Sequence, residues 1–174
     1  MSESLLNALI VLATVVGMEA FAWAAHKYVM HGWGWGWHRS HHEPRAGQWF
    51  ELNDAYAAVF AAVSIVLIAV GTARYAPLQW IGAGMTAYGF LYFLAHDGLV
   101  HQRWPLRWNP KRGYFKRLLQ AHRMHHAVKG REGAVSFGFL WAPPARRLKQ
   151  QLQSAQTAQA AQAQRQPASA LRSD

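Results

Sequence analysis

The chain has 174 residues, with 18 Lys and Arg against 8 Asp and Glu, 10 His and no Cys. That length suits one domain with a tail, and the lack of Cys excludes a disulfide framework and any thiolate metal site while leaving the redox compartment open. Charged residues make up 15%, against about 25% in an ordinary soluble domain, and the mean hydropathy of −0.10 averages very apolar stretches with a polar end.

In chain order, Leu5 to Ala25 is apolar with Glu19 as its only charge, about the length a bilayer span needs. No basic residue precedes it, so it reads as an uncleaved anchor and not as a secretory signal, although Ala20-Phe21-Ala22 and Ala22-Trp23-Ala24 fit a small-x-small site. Ala55 to Ala73 and Pro77 to Ala95 carry no charge at all apart from the Arg74 turn between them. Three such stretches predict an all-α integral membrane protein with about three transmembrane helices. Asn53 or Asp54 is a good N-cap for the second span. Gly82, Ala83, Gly84, Ala87 and Gly89 on the third serve close helix packing first, and leave room for a long substrate second. Ala142-Pro143-Pro144 stops whatever precedes it. After Lys149 the chain turns Gln/Ala/Ser-rich. It divides there into a domain, 1–149, and a low-complexity tail, 150–174, which could continue a helix for a few turns but is expected to be frayed or disordered and without function.

Charge sets the orientation. Residues 1–95 sum to −1, residues 96–149 to +10 and residues 150–174 to +1. Three cations follow the first span, one lies between the second and third, and twelve follow the third. The positive-inside rule then puts the histidine-bearing parts in the cytoplasm as a helical cap. Trp33, Trp35, Trp37, Trp49, Trp104 and Trp108 lie just beyond the spans, where indoles anchor at an interface. The basic block has no zinc-finger or RNA-binding motif beside it, which argues against nucleic acid. Topology and anionic lipid demand most of its charge. Lys111, Arg112, Lys116, Arg117 and Arg123 also offer a docking patch for an acidic protein.

The ten histidines fall in two matched sets. His26 and His31 are followed by His38, His41 and His42; His96 and His101 are followed by His122, His125 and His126. Each set reads H-x4-H and then H-x2-H-H. On a helix, positions i, i+3 and i+4 lie within about 100° of one another, so each triplet can converge from one face. An i,i+5 pair sits about 140° apart on a regular helix, so the H-x4-H pairs require either a helix end between them, with Gly32 and Gly98 nearby, or a π-bulge. Ten imidazoles exceed what one ion takes and suit two. All-nitrogen ligation fits iron, copper, nickel or zinc, and a site beside three apolar spans, suited to oxidising a lipid with O2, favours iron.

The strings EAFAWAAHKYVMHGWGWGWHRSHHEP (19–44), FELNDAYA (50–57), HDGLVHQRWP (96–105) and HRMHHAVKGREGAVSFGFLWAPP (122–144) resemble the bacterial β-carotene 3-hydroxylases of the membrane fatty-acid hydroxylase superfamily. The histidine boxes alone specify the superfamily; the strings around them point to the carotenoid branch, over about residues 19–149. The resemblance implies a non-haem di-iron monooxygenase of the inner membrane. It would hydroxylate C3 of β-ionone rings, from β-carotene to β-cryptoxanthin to zeaxanthin, with O2 and with electrons from NAD(P)H through a ferredoxin-type protein. It carries over all ten histidines, His26, His31, His38, His41, His42, His96, His101, His122, His125 and His126, as catalytic iron ligands. It carries Glu19 and Asp97 over as carboxylates that would orient a ligand imidazole, against which stand an interfacial carboxylate for Glu19 and a helix or turn cap for Asp97.

Other readings are separable. A fatty-acid or sterol oxidase or a carotenoid ketolase would use the same boxes. A haem-binding electron carrier would need ligands on facing helices, but the histidines cluster at span ends and beyond. A metal transporter would be expected to carry polar groups within its spans, and only Glu19 qualifies.

Overall fold

The computed structural model describes residues 2–43, 50–103 and 108–165, and those residues contain helices and no strand. The elements are α1 (Glu3–Ala24), running directly into a π-helical segment π1 (Ala25–Trp33); α2 (Trp35–His42); α3 (Asp54–Ala73); α4 (Ala76–Tyr92), running directly into π2 (Phe93–Val100); α5 (Gly113–His126); and α6 (Ala145–Arg165).

α1, α3 and α4 form an apolar bundle in which both α1 and α3 pack on α4. Glycines let the backbones approach. A Cβ on Gly82 would lie 2.7 Å from the Ile68 side chain and 2.8 Å from the Ser64 carbonyl, and one on Gly84 would lie 2.6 Å from Thr14. Close packing is therefore the role of these two, whereas Gly89 has nothing within 4 Å of its Cβ position. The outward faces keep large apolar side chains exposed, among them Leu12, Val16, Phe21, Ile65, Val66 and Phe90, as a lipid-facing surface would. Among the described residues, two helices are long and apolar enough to cross a membrane: the run Glu3–Trp33 and Asp54–Ala73. The third expected span forms α4, whose 17 α-helical residues fall short of the usual 20 or so.

A polar layer of π1, α2, π2, α5, α6 and the connection 127–144 covers one end of this bundle. Leu118, Leu119 and Leu148 are almost fully buried there, each contributing about 1.5–3 kcal/mol. Leu99, Leu118, Ala121, Val135, Ala142 and Leu148 form its apolar core, with Leu152 packed against it.

Two expectations are corrected here. α6 continues past Lys149 to Arg165. Its Ala/Gln-rich sequence has high helix propensity, Leu148 and Leu152 hold one face to the core at i,i+4 spacing, and Gln159 donates to the Glu132 carbonyl at 3.4 Å. Trp35 is not a free interfacial anchor, because its ring packs on His31 and His42, each at 5.2 Å between centroids. Trp33, Trp37 and Trp108 are exposed as expected, while Trp49 and Trp104 lie outside the described residues.

Candidate metal centre

The π segments resolve the H-x4-H spacing. A π turn bonds each N–H to the carbonyl five residues back, which brings residues five apart onto one side. The Gly34 N–H bonds the Val29 carbonyl and the His101 N–H bonds the His96 carbonyl, both at 2.9 Å. His26 and His31 sit within π1, which kinks at Gly32; His96 sits in π2 and His101 just past its end.

The two sequence sets exchange one histidine each. His26, His31, His38 and His125 form one buried group and His41, His96, His101 and His122 another, the ligand atoms within each lying inside 4.8 Å of one another. His42 joins the first through a 3.1 Å approach of its Nε2 to that of His125, and His126 the second through 2.9 Å to His122. Successive helical residues diverge by about 100°. His38 and His42 therefore share a face, as do His122 and His126, while His41 and His125 turn away to the opposite group. The rings of His42 and His126 stack at 4.5 Å between the two groups. The expected convergence of each triplet on one centre is corrected accordingly.

The tautomers can be assigned from partners. Nδ1 of His26, His31, His42 and His125 donates to the carbonyls of Phe137, Arg131, Val128 and Val135 at 2.8–2.9 Å. Nδ1 of His38 donates to Asn53 Oδ1 at 2.7 Å, and those of His41 and His96 to Glu51 and Asp97 at 2.8 Å. None of these acceptors carries a proton to give, so each ring bears its hydrogen on Nδ1 and turns a bare lone pair inward from Nε2. Yet Nε2 of His26 lies 3.0 Å from that of His38, His31 3.2 Å from His125, and His41 3.1 Å from His96. With no proton between them these are not hydrogen bonds; a cation in each group turns the facing lone pairs from repulsive to binding. The donor set thus fits one metal ion per group.

Burial keeps the imidazoles neutral, as ligands must be. It lowers His38 and His101 to about 3, His42 to about 4 and His126 to about 2. His41, His122 and His125 are held well below the usual value by burial and then by neighbouring imidazoles.

Around the second group runs a network that sequence reasoning only half saw. Asp97 orients His96, as the resemblance implies. Glu51 and Asn53 are ring acceptors: Asn53 stands at the N-cap position of α3, but its side chain makes no cap bond and holds His38 instead, while Asp54 accepts the Glu51 N–H at 2.9 Å. The Arg103 guanidinium reaches Glu51 at 2.8 Å, Asp54 at 3.1 Å and Asp97 at 3.8 Å, brought back by a left-handed Gln102 with φ of 50°. Burial pushes the Glu51 carboxyl up, with Arg103 opposing it. Glu51 lies in the string FELNDAYA that carries part of the resemblance, but its position directly ahead of an apolar span did not mark it as a ring acceptor.

Glu19 touches no imidazole. Its carboxylate accepts from Tyr88 Oη at 2.7 Å and from the backbone N–H groups of Phe139, Leu140 and Trp141 at 2.8–3.1 Å. Its role is to anchor the segment whose Phe137 carbonyl orients His26 and whose Phe139 ring stacks on His26 at 4.9 Å.

An apolar cavity of about 430 Å³ lies between α1, α3 and α4, lined by Met18, Phe60, Ser64, Met85, Gly89 and Tyr92 among others, and reaches Asn53 and Asp97. Tyr92 stacks on His96 at 4.6 Å, so the wall of the cavity is also the wall of the histidine cluster. Ile65 and Phe93 line it and are exposed on the outer apolar face.

Buried histidine pairs on π turns beneath a cap, over an apolar bundle, define a class. The chain belongs to the fatty acid hydroxylase family, whose pattern matches residues 11–143. Among curated proteins it is 70% identical over 143 residues to a β-carotene hydroxylase of Pantoea ananas, covering 82% of this chain and 81% of that one. It is 57% identical to a β-carotene hydroxylase of Paracoccus sp. (strain PC1), covering 83% and 89%. It is also 36% identical to the chloroplastic β-carotene hydroxylase 1 of Capsicum annuum, covering 82% of this chain and 45% of that one. No solved structure matches.

Proposed function

We propose that the protein is a membrane di-iron monooxygenase that hydroxylates C3 of the β-ionone rings of carotenoids, taking β-carotene to β-cryptoxanthin and zeaxanthin. The observation that carries this reading is the apolar cavity, which ends on residues that hold the two buried imidazole groups. The identities to β-carotene hydroxylases supply the substrate class.

All ten histidines hold the irons, five to each. More than four imidazoles per group exceed a tetrahedral zinc site, and the absence of thiolate leaves nitrogen-ligated iron as a fitting ion. When bound, the iron pair supplies the activation of O2. The protein's own work is positional. The cavity holds one ring of the substrate against the cluster, and Tyr92 and Phe139 close its inner wall. Asn53, Glu51, Asp97 and the carbonyls of Val128, Arg131, Val135 and Phe137 keep His26, His31, His38, His41, His42, His96 and His125 turned inward. Converting a C–H bond and O2 to C–OH and water consumes two electrons and two protons, so an external reductant is required.

In this reading α1, α3 and α4 each cross the inner membrane, α4 making up its length through π2, and the histidine layer faces the cytoplasm. Support comes from the Lys and Arg distribution and from the apolar side chains exposed on the bundle. The substrate enters laterally from lipid, past Ile65 and Phe93. Electrons come from NAD(P)H through an acidic ferredoxin-type protein.

The test is iron-loaded purified protein supplied with β-carotene, O2 and a reductant. Products that gain one oxygen atom per ring are expected. A ketone, which gains oxygen and loses two hydrogens, would reassign the protein to ketolases, and no carotenoid product would overturn the reading.

A further inference from the structure

The acceptors behind the two imidazole groups differ in charge. In the first group four rings donate to backbone carbonyls and His38 to the Asn53 amide. All five acceptors are neutral, and the Lys129 ammonium lies 3.4 Å from the His42 carbonyl. In the second group His41 and His96 donate to carboxylates. Behind these stands a third carboxylate, Asp54, and the three share the single Arg103 guanidinium, a net charge of −2.

We propose that the two metal positions are unequal by construction: the group of His41, His96, His101, His122 and His126 is the tighter, ferric-preferring site, and Glu51, Asp97 and Arg103 are the positioning residues that make it so. An imidazole hydrogen-bonded to a carboxylate is a more basic ligand than one bonded to a carbonyl. Nearby negative charge favours the more highly charged ion by Coulomb attraction in a poorly solvated site. Arg103 keeps the carboxylates fixed and prevents Glu51 and Asp97, each facing Asp54, from turning away from their rings. Among the described residues no ring of the first group donates to a carboxylate, so its metal is held by rings with neutral partners and is the easier to reduce and to remove. The inference rests on the proposed binding of iron by these histidines and concerns this chain's own second layer of contacts.

The experiment is anaerobic titration of the metal-free, membrane-reconstituted protein with 57Fe(II), followed by Mössbauer spectroscopy before and after mild oxidation. The expected result is sequential filling, one quadrupole doublet growing with the first equivalent and a second with the next, and the first-filled iron becoming ferric first. Glu51→Gln should lower the affinity of the first-filled site about 10–100-fold and leave the other doublet unchanged. Asn53→Asp, which adds a carboxylate behind His38, should narrow the difference from the other side. Doublets that grow together in the unsubstituted protein, or respond equally to Glu51→Gln, would overturn the inequality while leaving iron binding intact. Failure to bind any iron would instead overturn the metal assignment itself.

Discussion

His41 and His42 are neighbours in sequence and belong to different metal groups, and so do His125 and His126. Replacing any of His38, His41, His42, His122, His125 or His126 by Ala should abolish turnover. The iron lost should follow the spatial groups: His42→Ala and His125→Ala deplete one site, His41→Ala and His122→Ala the other. Iron content with product analysis checks this, and full iron and activity at several of these positions would contradict the assignment. The imidazoles also set a pH dependence. A ring lowered from 6.5 to about 3, as His38 and His101 are, takes its proton more readily in the unfolded chain. The metal-free protein therefore has its full stability above about pH 6.5 and loses it progressively as pH falls toward 3, measurable as a falling thermal midpoint in detergent. At this scale the ten histidines were legible, because their spacing repeats. Their acceptors were not: a carbonyl such as that of Val135 carries no residue-type signal, and Asn53 looks the same whether it caps a helix or holds a ring.

The elements divide into those the sequence describes and those only packing reveals. α1 and α3 follow from apolar runs of bilayer length, the second with no charge and the first with Glu19 as its only charge past Leu5, and the H-x4-H pairs already demanded a π turn or a break. π1 supplies both, since it kinks at Gly32. The exchange of His41 and His125 was hidden because periodicity gives a face and not the partner it meets. α6 was hidden because low complexity hides the few contacts, Leu148, Leu152 and Gln159, that seat a helix. The small residues of α4 separate by environment. Gly82 and Gly84 meet neighbours, whereas Gly89 lines the cavity with open space before it. Gly89→Leu should therefore fill the channel, cutting kcat/KM for β-carotene by roughly tenfold or more with iron retained, since about 1.4 kcal/mol of lost fit is a factor of ten. Unchanged kcat/KM with a folded, iron-loaded variant would place the substrate elsewhere.

Across the whole molecule the apolar bundle, the histidine layer and the basic surface each have a separable contribution. Removal of residues 166–174 should leave activity intact, whereas truncation after Lys149 removes the Leu152 packing and the Gln159 bond and should lower the thermal midpoint by several degrees. An unchanged midpoint would restore the tail to the dispensable role its composition suggests. Lys111, Arg112, Lys116 and Arg117 are exposed and make no ion pair among the described residues. Reversing all four to Glu should slow ferredoxin-driven turnover steeply and reduce its salt sensitivity, with turnover driven by a small uncharged reductant little changed. Equal slowing with both electron sources, iron being retained, would assign these residues to membrane seating alone.

The central claim is that two buried imidazole groups at the end of an apolar cavity hydroxylate a carotenoid ring, and the carotenoid profile of a β-carotene-accumulating bacterial host expressing this chain tests it most directly. Conversion of β-carotene to β-cryptoxanthin and zeaxanthin, lost in His125→Ala, is the predicted result. Unaltered β-carotene beside membrane-inserted, iron-loaded protein, or hydroxylation that persists in His125→Ala, would contradict it.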